Sequence, residues 1–201
     1  TTEIYTLSLH DALPIWYWML KSQIQLKRVR VRTLKHLDSM RIIYNENLEK
    51  LATIDLPYRN LKDQVDWWKT NKHQMRAYLF ETIDEPGTTI GFVTLTDRGS
   101  FTTHTIALSG EYQGKGYGTE MMHDYMHLAG KPLAASQLAS NTAIRSLHAK
   151  LGWVVVGRAE GPTGEIELIY HPGTSRKHPG TDDIRSTVTA YLIDKYHGYA
   201  L

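Results

Sequence analysis

Apolar and polar positions alternate from residue 24 to 33. Val29 and Val31 face one way and Arg28, Arg30 and Arg32 the other, which predicts a half-buried strand. The period then changes to that of a helix: Leu37, Met40, Ile43, Tyr44 and Leu48 form one stripe over 34–51. A loop over 52–60 precedes a second helix, 61–70, which ends in the pair Trp67-Trp68. Strands are expected over 75–83, 90–96 and 101–108, separated by the turn sequences DEPGTT (84–89) and DRGS (97–100). Residues 119–129 carry apolar positions at 122, 125, 126 and 129 and contain neither Pro nor Gly, so a helix is predicted there. After the Gly130-Lys131-Pro132 break come a strand (133–139) and a helix within 141–153. Asn141 is the expected N-cap of that helix, Ala143, Ile144, Leu147 and Leu151 its buried stripe, and Gly152 its terminator. A hairpin pairs 154–158 with 165–170, a polar linker spans 171–183, and 184–196 is a candidate terminal helix. The expected order is β-α-α-β-β-β-α-β-α-β-β, an α/β (α+β) domain built on a mixed sheet.

Composition narrows the classes. The 201 residues suit one domain, and 41% apolar with 22% charged residues is ordinary for a globular chain. A net charge of +2 is too small to point to nucleic acid. Without cysteine there is no disulfide, thiolate metal site or cysteine nucleophile. No apolar run approaches the roughly 20 residues of a membrane span, so a cytoplasmic protein is expected. Residues 1–15, TTEIYTLSLHDALPI, resemble translated sequencing-adaptor read-through and are set aside as foreign. The domain is expected over 16–173, with a linker and helix over 174–201.

The candidate chemistry starts at EYQGKGYGTEMM, 111–122. Gly114, Gly116 and Gly118 occupy alternate positions between a strand and a helix start. Glycines there permit a tight turn whose successive N–H groups form a nest, and the helix dipole adds partial positive charge. This is an anion site suited to a phosphate or pyrophosphate, with Lys115 as an added point charge. The spacing is neither the dinucleotide fingerprint nor the nucleotide P-loop.

Two pieces together carry a family resemblance. YQGKGYGTEMM (112–122) resembles the pyrophosphate loop of the GNAT acetyltransferases, Gln/Arg-x-x-Gly-x-Gly/Ala, with Gln113, Gly116 and Gly118 at its defined positions. NTAIRSLHAKLGW (141–153) resembles the family's later signature, an Asn opening a helix that closes in Lys-x-Gly-Phe. The resemblance covers roughly 26–171 and implies a GNAT fold: a twisted mixed sheet of about seven strands, flanked by helices and splayed between the fourth and fifth. It implies acetyl-CoA as acyl donor, its pyrophosphate on the amides of Gln113, Gly114, Lys115, Gly116, Tyr117, Gly118 and Thr119, with Asn141 nearby. The pantetheine would run beside Ile106, Ala107 and Leu108, and the Leu108 amide would polarise the thioester carbonyl. The implied reaction is direct attack by a primary amine, with a base or water relay taking its proton and an acid protonating the departing sulfur.

Counted from Asn141, most relatives place a tyrosine where this chain has His148. A subgroup acting on small amino-acid-like amines also has His there, which makes His148 the candidate acid. His104, sharing strand parity with Ile106 and Leu108, and Glu81 are the candidate bases. Glu120, His123 and His127 share a helical face, but the glutamate precedes the His-x-x-x-His pair and no third strong ligand follows, so no metal site is expected. Two other classes stay open. One is a non-catalytic acyl-CoA sensor or scaffold of the same fold. The other is a nucleic-acid or partner module using the basic strand with Arg176, Lys177 and His178. The terminal helix is expected to dock on the domain or on a second subunit, the latter giving a homodimer, and the acceptor amine is not specified.

Overall fold

The computed structural model describes residues 24–52, 58–173 and 181–196. Its elements begin with strand β1 (Leu26–Arg30) and helices α1 (Leu34–Glu46) and α2 (Leu61–Asn71). Strands β2 (Met75–Thr82), β3 (Thr89–Asp97) and β4 (Thr102–Leu108) follow, then helix α3 (Tyr117–Ala129), strand β5 (Leu133–Leu138) and helix α4 (Thr142–Lys150). Strands β6 (Val154–Gly161) and β7 (Gly164–His171) and helix α5 (Thr181–Tyr196) complete the order.

The strands form one sheet in the order β1-β2-β3-β4-β5-β7-β6. Every neighbouring pair is antiparallel except β4–β5, which is parallel. That parallel pair is also the shortest, joined only at Thr102↔Leu133 and Thr103↔Ala134. Beyond Thr103 and Ala134 the two strands run on without pairing, so the sheet opens there, where the family resemblance places its splay.

The alternation of side chains divides the core. Phe80, Val93, Leu95 and Ile106 pack with Met121, Met122 and Tyr125 of α3 on one face. Ala77, Leu79, Phe92 and Ala107 pack with Leu37, Met40, Ile43 and Tyr44 of α1 on the other. In the second half-sheet Ala134, Leu138, Ile166 and Leu168 receive Val188, Leu192 and Tyr196 of α5. Because Thr103 is aligned with Ala134, α5 covers the same sheet face as α1. Each large apolar side chain buried this way contributes about 1.5–3 kcal/mol.

Three elements differ from the sequence reading. Helix α1 stops at Glu46, because Asn47 turns its amide onto the carbonyls of Ile43 (2.8 Å) and Leu108 (3.1 Å); a 3-10 turn, Leu48–Lys50, follows. In α4 the buried residue is His148, while Ala143, Ile144 and Leu147 face the opening of the sheet. Helix α5 starts at Thr181, and its Tyr196 hydroxyl donates to the Ala52 carbonyl at 2.8 Å. Residues 1–20, 53–57 of the expected loop and 174–180 of the expected linker, with Arg176, Lys177 and His178, lie outside the described residues.

Candidate functional site

A cleft of about 620 Å³ passes through the opening between β4 and β5. Its walls come from β4, β5, the glycine loop, α4 and α5. The β4 amides reach it by parity. Ser109 N–H bonds the Ile90 carbonyl and Arg98 N–H the Phe101 carbonyl, while Thr102 N–H turns the opposite way, to Pro132. The alternation sends the amides of Ile106 and Leu108 toward the β5 side, where the parallel pairing has already ended.

At one end stands the glycine loop. Gly114 (φ 73°) and Gly116 (φ 93°) hold the left-handed backbone that other residues avoid. A Cβ at Gly114 would meet nothing within 4 Å. Gly116 is the N-cap of α3 and offers no capping side chain. The amides of Thr119 and Glu120 turn back to the Gly116 carbonyl. Among the described residues no backbone carbonyl takes the amides of Gly114 to Gly118. Open donors at a helix N-terminus, where the macrodipole is worth about half a positive charge, make an anion seat. The Gln113 side chain braces the loop: Nε2 donates to the Leu108 carbonyl (2.8 Å) and Asn47 Oδ1 (3.1 Å), and Oε1 accepts from Lys50 (2.8 Å). Asn141 caps α4 by accepting from the Ile144 amide and donates to the Lys50 carbonyl. Lys150, the last residue of α4, also lines the cleft.

Deeper in the cleft two histidines meet. The rings of His104 and His148 lie 5.8 Å apart, and Trp153 packs at 5.0 Å from the first and 4.9 Å from the second. Tyr125 closes the far side of His104 at 5.0 Å. His148 Nδ1 lies 2.6 Å from Gln137 Oε1, and Gln137 Nε2 donates to Glu167 Oε2 at 3.0 Å. Arg145 grips both Glu167 oxygens at 2.8 and 3.0 Å, and Arg158 adds a contact at 3.4 Å. Burial alone would raise the Glu167 carboxyl, but hydrogen bonds from Arg145 and Gln137 outweigh it and hold it below its usual range. The ionised carboxylate accepts only, so it fixes the Gln137 amide with its NH₂ toward Glu167 and its oxygen toward the imidazole. That oxygen in turn requires a proton on His148 Nδ1. Burial drives the His148 pKa down to about 4, so the ring is neutral at pH 7 and Nε2 holds a lone pair. Among the described residues His148 Nε2 and His104 Nδ1 are buried without a partner. Burial first, and the neighbouring His148 second, push His104 well below the usual histidine range.

The structure therefore gathers His104, His148, Ile106, Ala107, Leu108, Gln113, Gly114, Gly116, Gly118, Thr119 and Asn141 around one cleft. Lys115 and Tyr117 belong to the loop, but their side chains lean on Tyr112 at 5.7 and 5.5 Å. Glu81 is not brought there. It is buried at the β1–β2 edge, held by Lys27 (3.2 Å) and the Gly87 amide (3.3 Å). The basic strand is partly neutralised, since Arg28 pairs with Asp124 of α3. His123 and His127 are exposed on α3, and among the described residues no three His, Asp or Glu form a metal-binding group. Trp67 lines the cleft and Trp68 packs against the α1-side core. Asn47, Lys50, Gln137, Arg145 and Glu167 escaped the sequence reading. The available signal was Gln137 beside Leu138 in LAASQL and Glu167 between Ile166 and Leu168 in GEIELIYH.

Known proteins share this fold. The model of the Acetyltransferase (GNAT) family matches residues 37–153. No curated protein sequence matches the chain. Among solved structures it is similar to a spermidine N-acetyltransferase from Vibrio cholerae in complex with CoA and spermine, with 16% identity and a TM-score of 0.64 over 73% of this chain and 95% of that one. It is also similar to yncA from Salmonella typhimurium with its cofactor acetyl-CoA: 16% identity, TM-score 0.63, 79% and 99% of the two chains. An N-acetyltransferase from Staphylococcus aureus Mu50 gives 19%, 0.60, 73% and 96%. Among the described residues no helix is long and apolar enough to cross a membrane.

Proposed function

Because this chain belongs to the GNAT acetyltransferase family, we propose that it moves an acetyl group from acetyl-CoA to a primary amine, with His148 Nε2 handling the proton. The observation that carries the reading is the buried, unpartnered Nε2 of His148, whose Nδ1 is tied to Gln137, in a cleft that begins at an uncapped glycine loop. The residues present fit acetyl-CoA. Open amides from Gly114 to Gly118 suit its pyrophosphate, Lys50 and Lys150 add positive charge, and the amides of Ile106 and Leu108 face the space for its pantetheine arm. When bound, acetyl-CoA supplies an activated thioester. The Leu108 amide would be the donor to its carbonyl oxygen.

His148 is too weak a base to deprotonate an ammonium ion, so the acceptor must sit in the cleft as the free amine. As the amine nitrogen gives up its lone pair its N–H becomes strongly acidic, and a base of pKa about 4 then suffices. The proton that Nε2 takes up is held as an imidazolium N–H, the form in which His148 can donate. The same residue thus accepts first and donates second, so the acid role expected from the sequence becomes the second half of its turn. His104, with its Nδ1 unpartnered 5.8 Å away ring to ring, is the secondary acceptor.

The test is thiol release with an amine panel, comparing wild type with His148→Phe. A base acting alone contributes about 10²–10⁴ in rate. Replacement should cost kcat at least about tenfold, less than the full range because water can substitute, while acetyl-CoA affinity holds. The His148 limb of the wild-type kcat/KM profile should fall near pH 4 rather than 6.5. An unchanged kcat in His148→Phe, measured where chemistry limits turnover, returns His148 to packing. Tight acetyl-CoA binding without thiol release on any amine would leave a non-catalytic acyl-CoA-binding protein.

A further inference from the structure

The cleft continues onto the sheet face shared by α1 and α5. Thr94 and Thr96 of β3 and Arg98 just past its end line the cleft with Trp67, and α5 supplies Tyr191 and Lys195. No Asp or Glu lines the cleft among the described residues. Arg98 and Lys195 line it from two separate elements, and neither forms an ion pair among the described residues. The hairpin's own carboxylate, Asp97, is spent on Lys131 (3.0 Å) and the Gly99 amide (2.9 Å). Arg98 instead lies 5.3 Å over the Tyr191 ring, which holds it beside α5. Burial of its inner side and the proximity of Arg98 both pull the Lys195 ammonium below its usual range, although the side chain stays open to solvent outward.

Two cations converging without a carboxylate repel each other and a bound ammonium alike, and they favour an anion. Resting on the transferase reading above, we propose that the acceptor is a primary amine that also carries an anionic group, a carboxylate or a phosphate, held by Arg98 and Lys195. The same field lowers the pKa of the bound amine and so favours the free amine that His148 requires. His104 faces Leu95 in the β3–β4 register, and Arg98 follows directly on β3, which ends at Asp97. Arg98 and the two histidines line the same cleft, so one bound acceptor can meet both. Helix α5, which supplies Lys195 and Tyr191, lies outside the segment matched by the family model, whereas Arg98 lies within it.

Matched pairs test it in the thiol-release assay on the full chain: L-phenylalanine against phenethylamine, O-phosphoethanolamine against ethanolamine, and spermidine as the cationic arm. The anionic member of a pair is expected to exceed its partner, and spermidine, by about tenfold or more in kcat/KM. The pair that shows the preference tells carboxylate from phosphate. Arg98→Glu and Lys195→Glu should each collapse the preference through KM, and Arg98→Lys should keep most of it. Equal use of both members in both pairs, or a preference for the uncharged amine or spermidine, overturns this inference and leaves the transferase reading standing. Failure of every amine, spermidine included, overturns both.

Discussion

The two ends of the cleft are built by different means. The glycine loop presents backbone donors: Gly114 and Gly116 set the turn, and no side chain of the loop needs to reach a ligand. The histidine end presents side chains, and its key atom, His148 Nε2, is defined by a chain of contacts through Gln137 and Glu167 to Arg145. A backbone site is local in sequence and fails only if the turn changes or the seat is blocked. A side-chain site is assembled from β5, α4 and β7 and fails by loss of any one member. The difference teaches where each site is fragile, and each substitution below strikes one end while sparing the other.

The largest effect is expected at the backbone end. Gly114→Asp would place a carboxylate in open space over the amide nest at φ 73°, a conformation Asp tolerates better than most residues. Losing about two charge-assisted amide contacts, at roughly 1.5–3 kcal/mol each, should weaken acetyl-CoA about 100-fold or more by calorimetry. Gly114→Asn has the same shape without the charge and should lose far less. Equal losses would trace the effect to the turn and not to an anion seat.

Next comes the cost of keeping the histidines neutral. His148 titrates near 6.5 unfolded and about 4 folded, so between those values the unfolded chain binds more protons. Stability should therefore be constant in this group above pH 6.5 and fall as pH drops toward 4. The full loss is about 3 kcal/mol from His148, with His104 and His171 shifted in the same direction. Denaturant melts at steps of pH would show it, and His148→Phe should lower the slope by one proton. An unaltered slope in that variant would mean that the His148 ring is not held neutral by burial. The glycine end contributes no such slope, since backbone amides do not titrate.

A smaller effect, confined to the histidine end, is expected from Gln137→Leu. The Nδ1 proton of His148 would lose its acceptor, and the tautomer with the lone pair on Nε2 would lose its preference. A lost hydrogen bond with a buried orphan costs about 1–3 kcal/mol, so kcat should fall about tenfold while acetyl-CoA affinity is retained. Glu167→Gln should mimic it, because a neutral amide no longer dictates which way Gln137 turns. If both variants keep wild-type kcat, the relay holds the fold and not the proton.

This contrast also explains what the sequence made legible. Strand and helix periods located the strands and α-helices though not the 3-10 turns at 48–50 and 110–112, and the loop at 111–122 with the helix opened by Asn141 pointed to the acetyltransferase fold because both are local patterns. The relay was not legible, since Gln137 and Glu167 lie 30 residues apart and meet only through the β5–β7 register. The sequence also offered Glu81, a strand carboxylate like Glu167. Only the pairing of β2 with β1 and of β7 with β5 distinguishes an edge ion pair from a buried relay. Likewise the apolar stripe of α4 looks like core by its period, yet it faces the cleft because β4 and β5 part beneath it.

The smallest effect tests whether the backbone end is truly indifferent to side chains. Asn141 sits at the glycine-loop end, accepts from the Ile144 amide at 3.3 Å and donates to the Lys50 carbonyl at 3.2 Å. Asn141→Ala removes a helix N-cap, which costs about 1 kcal/mol of stability. It also frees the Lys50 carbonyl, while the Lys50 ammonium stays on Gln113. The amides of the loop and the φ values of Gly114 and Gly116 do not depend on this cap. The expectation is a modest drop in the melting midpoint and less than about a threefold change in acetyl-CoA affinity, under 1 kcal/mol. Asn141→Asp, which keeps the acceptor but not the donor, should recover most of the stability, since Asn and Asp cap about equally. A loss of affinity in Asn141→Ala approaching that of Gly114→Asp would mean that the pyrophosphate seat is built from side chains as well, and the division between the two ends would not hold.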